Sequence, residues 1–348
     1  VTSAANDDPA AGLPPRVPDE GSDRTVKPPG PKVVALGGGH GLYASLSALR
    51  RVTDRLTAVV TVADDGGSSG RLRRELGVLP PGDLRMALAA LCGDDEWGQT
   101  WRDVVQHRFR SQGDLRDHAV GNLLIVALWE LLGGESGQAA GSTVAGLDWV
   151  GRLLGAHGRV LPMASVPMDI VAQVRGADPA RPDAVVQVKG QVECARTPGA
   201  VLGVSLVPTD PPACPEALAA VDDADWVVFG PGSWFTSVLP HLKVPELARA
   251  LTATRARRVV ALNLVPQPGE TDDFSPQTHL EVLQAHAPDL RVDVVLADRG
   301  VVDDPAALDR AVKALGGRLV LAEVAAPDGS PRHDPALLAQ AFVQIFAD

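Results

Sequence analysis

Two adjacent carboxylates, Asp64 and Asp65, close an apolar run and are followed at once by Gly66-Gly67-Ser68-Ser69-Gly70. Three chemistries suit such a stretch. The carboxylates can grip the hydroxyls of a ligand, hold a metal or serve as a base, or simply close an Asx turn. Gly67, Ser68 and Ser69 can offer backbone amides to an anion, and Arg71 and Arg73 follow to balance charge. One turn seldom needs two carboxylates and three glycines. Ligand binding is therefore the leading expectation, with catalysis second and turn-making last.

A second glycine cluster lies upstream. Gly37, Gly38, Gly39, His40 and Gly41 follow an apolar run, and Gly39-His40-Gly41-Leu42-Tyr43-Ala44 fits G-x-G-x-x-A. Glycines there admit close approach, and the helix they open presents free amides to a phosphate. In a dinucleotide fold an acidic residue about 20 positions later accepts from ribose hydroxyls, which is where Asp64 and Asp65 stand. No G-K-[ST] follows any glycine loop, so this is not a Walker cradle. His40 is either a ligand contact or a solvated loop residue.

Four more places carry chemistry. Asp83 in PPGDLR reads as a helix N-cap or a ligand contact, with Arg85 one turn on and able to reach a phosphate. Asn122 interrupts an apolar helix and must be hydrogen-bonded, to a neighbouring helix or to a ligand. Gly230, Gly232 and Ser233 form a further glycine loop after a strand. Arg332 and His333 precede a last helix for which Asp334 is the expected cap and Pro335 the first residue.

The elements that must position these residues follow from periodicity. Residues 32–36 and 56–63 read as strands around a helix at 42–52, a βαβ unit that implies a parallel sheet. Helices are expected near 82–93, 97–110, 118–133 and 137–154. Between 159 and 208 short β-branched and alternating runs predict an antiparallel or mixed β-rich insertion. Strands at 226–230, 258–265, 292–298 and 318–324 then alternate with helices near 245–255, 277–287, 305–315 and 335–346. The expected fold class is α/β: a Rossmann-like, doubly wound, mostly parallel sheet over residues 32–348. Such sheets bind ligands at the carboxyl ends of their strands.

Composition sets the outer limits. The 348 residues carry a formal charge of −11, with 45% hydrophobic and only 4% aromatic residues, so the core must be aliphatic. A broadly acidic surface argues against nucleic-acid or anionic-membrane partners. No run long enough to span a membrane and no leader pattern is seen, and three cysteines without a CxxC pair suit a reducing cytoplasm. Residues 1–31 are rich in Pro, Asp and Ala without periodicity and read as a disordered tail.

The stretches VVALGGGHGL, TVADDGGSSGRLR, LPPGDLR, HAVGNLL, RVLPM, GPGSWFTSVLPHL, QPGET and PRHD occur in one order. Together they resemble the YvcK-type gluconeogenesis-factor family, related to 2-phospho-L-lactate transferase, in the form of an actinobacterial member. The resemblance covers residues 32–345. It implies a nucleotide-sugar ligand, notably UDP-N-acetylglucosamine, and a regulatory role in cell-wall synthesis and cell shape during gluconeogenic growth. It also implies a ligand site made by Gly37 to Gly41, Asp64, Asp65, Ser68, Asp83, Arg85, Asn122, Gly230 to Ser233 and Arg332. A cell-wall enzyme or regulatory protein would be the downstream partner, and a homo-oligomer is expected. No cofactor is required on that reading. The alternative is a transferase using a guanosine-diphosphate-linked donor, with magnesium on Asp64 and Asp65. An NAD-linked oxidoreductase is disfavoured, since no His or Lys is placed for hydride chemistry. Many relatives have Thr at His40 and Asn at Met86. Some have a phosphorylatable Thr where Pro335 stands here, so that switch cannot operate at this position.

Overall fold

A computed structural model of the chain describes residues 30–133, 142–267, 269–272 and 274–348. The tail expected at 1–31 falls outside these except for Gly30 and Pro31. The Pro31 carbonyl accepts from Thr53 Oγ1 at 2.6 Å.

Short apolar runs bounded by glycines become buried strands. β1 (Val33–Gly37) leads through α1 (Gly39–Leu49) to β2 (Leu56–Val60). Three helices then start in succession beyond the end of β2 or soon after: α2 (Gly67–Leu76), α3 (Gly82–Ala90) and α4 (Glu96–Gln106). α5 (Val120–Gly133) and α6 (Ser142–Leu154) precede β3 (Arg159–Pro162). The second half alternates regularly: β7 (Trp226–Phe229), α9 (Pro245–Ala253), β8 (Arg257–Ala261), α10 (Pro276–His286), β9 (Val294–Asp298), α11 (Pro305–Ala314), β10 (Arg318–Ala322) and α12 (Pro335–Ala347). A π-helical turn (Trp234–Val238) and a 3₁₀ turn (Leu239–Lys243) follow β7.

Seven strands form one sheet in the order β3-β2-β1-β7-β8-β9-β10, every pair parallel. The order reverses between β1 and β7. That reversal is the switch point at which doubly wound sheets hold ligands, and the expected fold class is borne out. The core is aliphatic as composition required: β1 and β9 are buried along their whole length, while β10 at the sheet edge is half-buried.

The insertion is smaller than expected. β3 belongs to the main sheet, so the antiparallel unit comprises only β4 (Asp169–Arg175), β5 (Val185–Lys189) and β6 (Ala200–Val207), ordered β5-β4-β6. Its expected third run, through QVECA, is instead the short helix α7 (Gln191–Arg196). Gly190, at φ +100°, turns the chain out of β5 there. Helix α8 (Pro215–Asp222) returns the chain to the main sheet.

Two local expectations change. The GSSG stretch is not an open loop but the first turn of α2, which ends at Gly77 in the left-handed region at φ +69°. Asp83 does not cap α3: Pro81 occupies that position, and Asp83 lies in the first turn. Asp334 does cap α12, accepting from Ala336 N at 2.8 Å and Leu337 N at 2.9 Å. No helix among the described residues is long and apolar enough to cross a membrane.

Candidate functional site

The glycine turn after β1 separates two polar regions. Its first side faces the end of β2. A Cβ on Gly38 would lie 2.5 Å from Asp83 Oδ2 and 2.4 Å from Thr61 Cγ2, so a larger residue there would have to displace both side chains. Its other side faces the loop after β7. A Cβ on Gly41 would lie 2.2 Å from the Pro231 carbonyl oxygen and 2.5 Å from Gly232 Cα. Gly39 is different: its surroundings are open, and its φ of +56° is what favours glycine. The two glycine loops predicted from sequence are therefore in direct contact across the switch point.

On the β2 side the sequence-predicted polar residues form one buried network. Asn122 Oδ1 accepts from Arg85 Nε at 3.0 Å, and Asn122 Nδ2 donates to Ser68 Oγ at 3.0 Å. Ser68 Oγ also meets His118 Nδ1 at 3.0 Å. Asp64 Oδ1 accepts from Gly66 N at 2.9 Å, and the Ser69 hydroxyl nearby favours its charged form. Ser68 and Ser69 lie in the first turn of α2, Asp83 and Arg85 at the start of α3 and Asn122 in the first turn of α5, so partial positive charge of helix N-termini lies beside the carboxylates. Even so, burial pushes the Asp83 carboxyl up to about 7, aided by the Asp64 charge and opposed by the Gly39 amide and Arg85. Burial also raises Asp64 and lowers Arg85 to about 10, the latter further depressed by Arg108. Asp83 Oδ2 is buried and has no hydrogen-bond partner.

Asp65 adds its charge beside Asp64 but finds its hydrogen-bond partner elsewhere. Its Oδ1 accepts from Val192 N at 3.1 Å, satisfying an amide in the first turn of α7 and tying the end of β2 to the insertion. Losing such a cap costs about 1 kcal/mol. Asp65→Ala is expected to lose about that much stability in urea unfolding and to speed amide exchange in Gln191–Arg196 first. Unchanged exchange there would remove this tie.

On the β7 side lies a cleft of about 680 Å³. His40 and Gly41, in the first turn of α1, form part of its wall, with Tyr43 and Ala44 one turn on. Pro231 and Gly232 face them, and the opposite rim is the segment Ala326–Pro335, including Arg332 and His333. Burial pushes His333 down to about 4, so its imidazole is neutral at pH 7. The Asp64–Asp83–Arg85–Asn122 network lies outside the cleft lining. The site residues predicted from sequence are thus divided: His40, Gly41, Gly232 and Arg332 line the cleft, whereas Asp64, Asp83, Arg85, Ser68 and Asn122 lie behind the glycine turn.

Two residues not singled out in the sequence hold the second glycine loop. Asn263 makes both bonds of a bidentate pair with Gly232, accepting from its N at 2.8 Å and donating to its O at 2.9 Å. Its signal was a polar residue in a run read as strand to 265; the strand ends at Ala261. Glu270, within QPGET, is buried, and its two oxygens lie 2.6 and 2.7 Å from Ser233 Oγ, which donates to it. It also accepts from Phe235 N at 3.2 Å. Burial raises the Glu270 carboxyl, and Ser233 and the amides oppose that rise. Ser233 is thus engaged with Glu270 in the structure.

The fold and the site together define a doubly wound α/β protein whose candidate site straddles the switch point. The chain belongs to the 2-phospho-L-lactate transferase CofD family, whose model matches residues 33–320. It is similar to the "Putative gluconeogenesis factor" of Mycobacterium tuberculosis, at 53% identity over 310 residues and 88% of each chain. It is also similar to the "Gluconeogenesis factor" of Listeria innocua, at 36% identity over 272 residues, 78% of this chain and 79% of that one. Among solved structures, a UPF0052 family member from Bacillus halodurans superposes with a TM-score of 0.77 at 31% identity, over 89% of this chain and 98% of that one.

Proposed function

We propose that the cleft binds a nucleotide sugar, UDP-N-acetylglucosamine in the first instance, and that the protein is a regulator whose surface responds to that ligand. The observation that carries this reading is the opening of α1: His40 and Gly41, in its first turn, form one wall of the cleft, while the Gly39 amide of the same turn faces Asp83. A helix N-terminus and its free amides suit a pyrophosphate. Arg332 stands on the opposite rim, and the volume falls within the range of small-molecule sites. Relatives named gluconeogenesis factors support a role tied to gluconeogenic growth; cell-wall synthesis and cell shape are the processes we propose that it serves. Regulation requires the ligand to bind two conformations unequally. The two touching glycine loops are the element that would transmit its presence.

The test is a melting series with UDP-N-acetylglucosamine and guanosine diphosphate, with and without magnesium, while assaying for product. Stabilisation by the UDP-sugar alone, reaching about 2.7 kcal/mol at a hundredfold excess over Kd, is the expected result. Arg332→Ala should weaken binding about tenfold, or 1.4 kcal/mol, without altering the ligand-free melting temperature. Turnover, or a strict need for magnesium and the guanine nucleotide, overturns the sensor reading.

One observation favours the transferase as a second reading. Asp83 Oδ2 is buried without a partner and shares its surroundings with the Asp64 charge. Magnesium accepts carboxylate oxygens of this kind. With Asp65 committed to α7, the residues that would hold it are Asp64 and Asp83. No cluster of three or more candidate ligands is assembled among the described residues. When bound, the ion would neutralise a diphosphate leaving group. The Gly66 amide would orient Asp64, and Arg85, itself held by Asn122, would act on Asp83 through its charge.

A further inference from the structure

The charge census of the cleft does not match a pyrophosphate in a simple way. Arg332 is the one Lys or Arg among its described lining residues. Its guanidinium is already held: Nη2 donates to Asp328 Oδ2 at 3.0 Å and Nε to Ser330 Oγ at 3.0 Å. The other Asp328 oxygen accepts from Ser330 N at 2.9 Å and Ser330 Oγ at 2.6 Å. Ser330, ahead of Arg332, thus holds the Asp328 carboxyl below its usual range, so it is charged at neutral pH. Asp334 brings a second carboxylate to the same rim. Its charge lies against the N-terminus of α12, which therefore offers no free amides there. The remaining titratable lining groups are His40, Tyr43 and His333, of which burial makes His333 neutral and raises the Tyr43 phenol. Fixed charge on the Ala326–Pro335 rim is one positive against two negative.

We infer that Asp328 is a specificity-determining residue, which admits a diphosphate esterified by a sugar and rejects free nucleoside di- and triphosphates by charge. The inference rests on the nucleotide-sugar reading of the cleft. A nucleotide sugar carries about two negative charges at pH 7.5, a free diphosphate about three and a triphosphate about four, since the last phosphate ionisation lies near 6. The α1 N-terminus contributes about half a positive charge, and Arg332 contributes one that Asp328 competes for. Each added ligand charge meets Asp328 with no further cation to offset it. A unit charge about 6 Å away at an effective dielectric near 60 changes affinity about fivefold per ligand charge. A lysine-lined cradle has the opposite preference, binding more tightly as phosphates are added.

The experiment measures binding of UDP-N-acetylglucosamine, UDP and UTP to wild type, Asp328→Asn and Ser330→Ala by calorimetry at low ionic strength. Wild type should rank them in that order. Asp328→Asn should cut the preference for the sugar nucleotide over UDP about fivefold and over UTP further, and raised salt should shrink the effect. Ser330→Ala removes the hydroxyl bond to Arg332 Nε without changing charge and should leave the ranking unaltered. An unchanged ratio in Asp328→Asn, or equal tightening of all three ligands in both variants, overturns the inference while leaving the nucleotide-sugar reading intact. Wild type that binds none of the three overturns that reading and this inference with it. Asp328 is exposed, so ligand-free melting verifies that both variants are folded.

Discussion

Gly41→Ala is expected to cost about 3 kcal/mol of stability, at the upper end of what overpacking imposes, and to weaken nucleotide-sugar binding by about a hundredfold, or 2.7 kcal/mol. The reason is contact with main chain. The added methyl would stand 2.2 Å from the Pro231 carbonyl oxygen and 2.6 Å from its carbon. No side chain can rotate away to relieve this. Either α1 moves off β7 or the Pro231–Gly232 loop is displaced. Displacement is resisted by Asn263, which grips Gly232 at both its amide and its carbonyl. Both adjustments widen the gap between the two loops that frame the cleft. The measurement is the urea midpoint together with the ligand-induced melting shift. A variant that keeps both would show that the loops do not meet. Gly39→Ala is the useful contrast. Its Cβ enters open space, so any loss there comes from the positive φ and not from a clash.

The second large effect concerns Asp83 and pH. Its carboxyl titrates near 7 in the fold against 3.8 as the reference value. Between those values the folded protein binds more protons than the unfolded chain, so stability falls as pH rises through the window and levels off above it. At about 1.4 kcal/mol per unit, the whole span corresponds to about 4 kcal/mol. Asp83→Asn keeps the shape and removes the ionisation. The variant and wild type should be nearly equal near pH 4, and the variant should be the more stable by a few kcal/mol at pH 8. Denaturant melts at three pH values suffice. Parallel profiles would mean that Asp83 ionises freely. The fold therefore keeps a destabilising carboxyl beside Asp64 and the glycine turn, as expected where a group is retained for binding or chemistry instead of stability. A cation bound between the two carboxylates would lower the Asp83 pKa and recover part of that loss.

The division of the site bears on how both readings operate. The α1 N-terminus has the cleft on one side and Asp83 on the other. A ligand phosphate seated by His40 and Gly41 would therefore lie near a group that titrates in the physiological range. Charge on Asp83 opposes such a phosphate and its protonation relieves that opposition, so the two are coupled through one short turn.

Much of the fold was legible because the relevant signals are local. An apolar run ending in glycines reports a strand and its turn, and alternation with amphipathic stretches reports a parallel sheet. The strands of the main sheet were recognised, although β3 was assigned to the insertion. Asp334 was rightly read as a cap, because capping involves only neighbouring residues. α2 was missed because GSSG is poor helix-forming sequence. It is helical through burial of Ser68, Ser69 and Leu72 and a glycine stop at Gly77, which are tertiary and terminal effects.

By itself, the amino-acid sequence determined that this is an aliphatic α/β protein with two glycine loops and an acidic pair at strand ends. Only the tertiary structure decided which polar groups meet. Asp65 finds its partner 127 residues away in the insertion, and Ser233 finds Glu270 37 residues on. Asp83 joins the acidic pair beside Asp64, while Asp65 is tied to α7, and Arg332 faces the cleft with Asp328 at its side. Backbone conformation is governed by near neighbours and their periodicity. The company a charge keeps depends on which loops the strand order brings together at the switch point, and that is settled by packing over the whole chain.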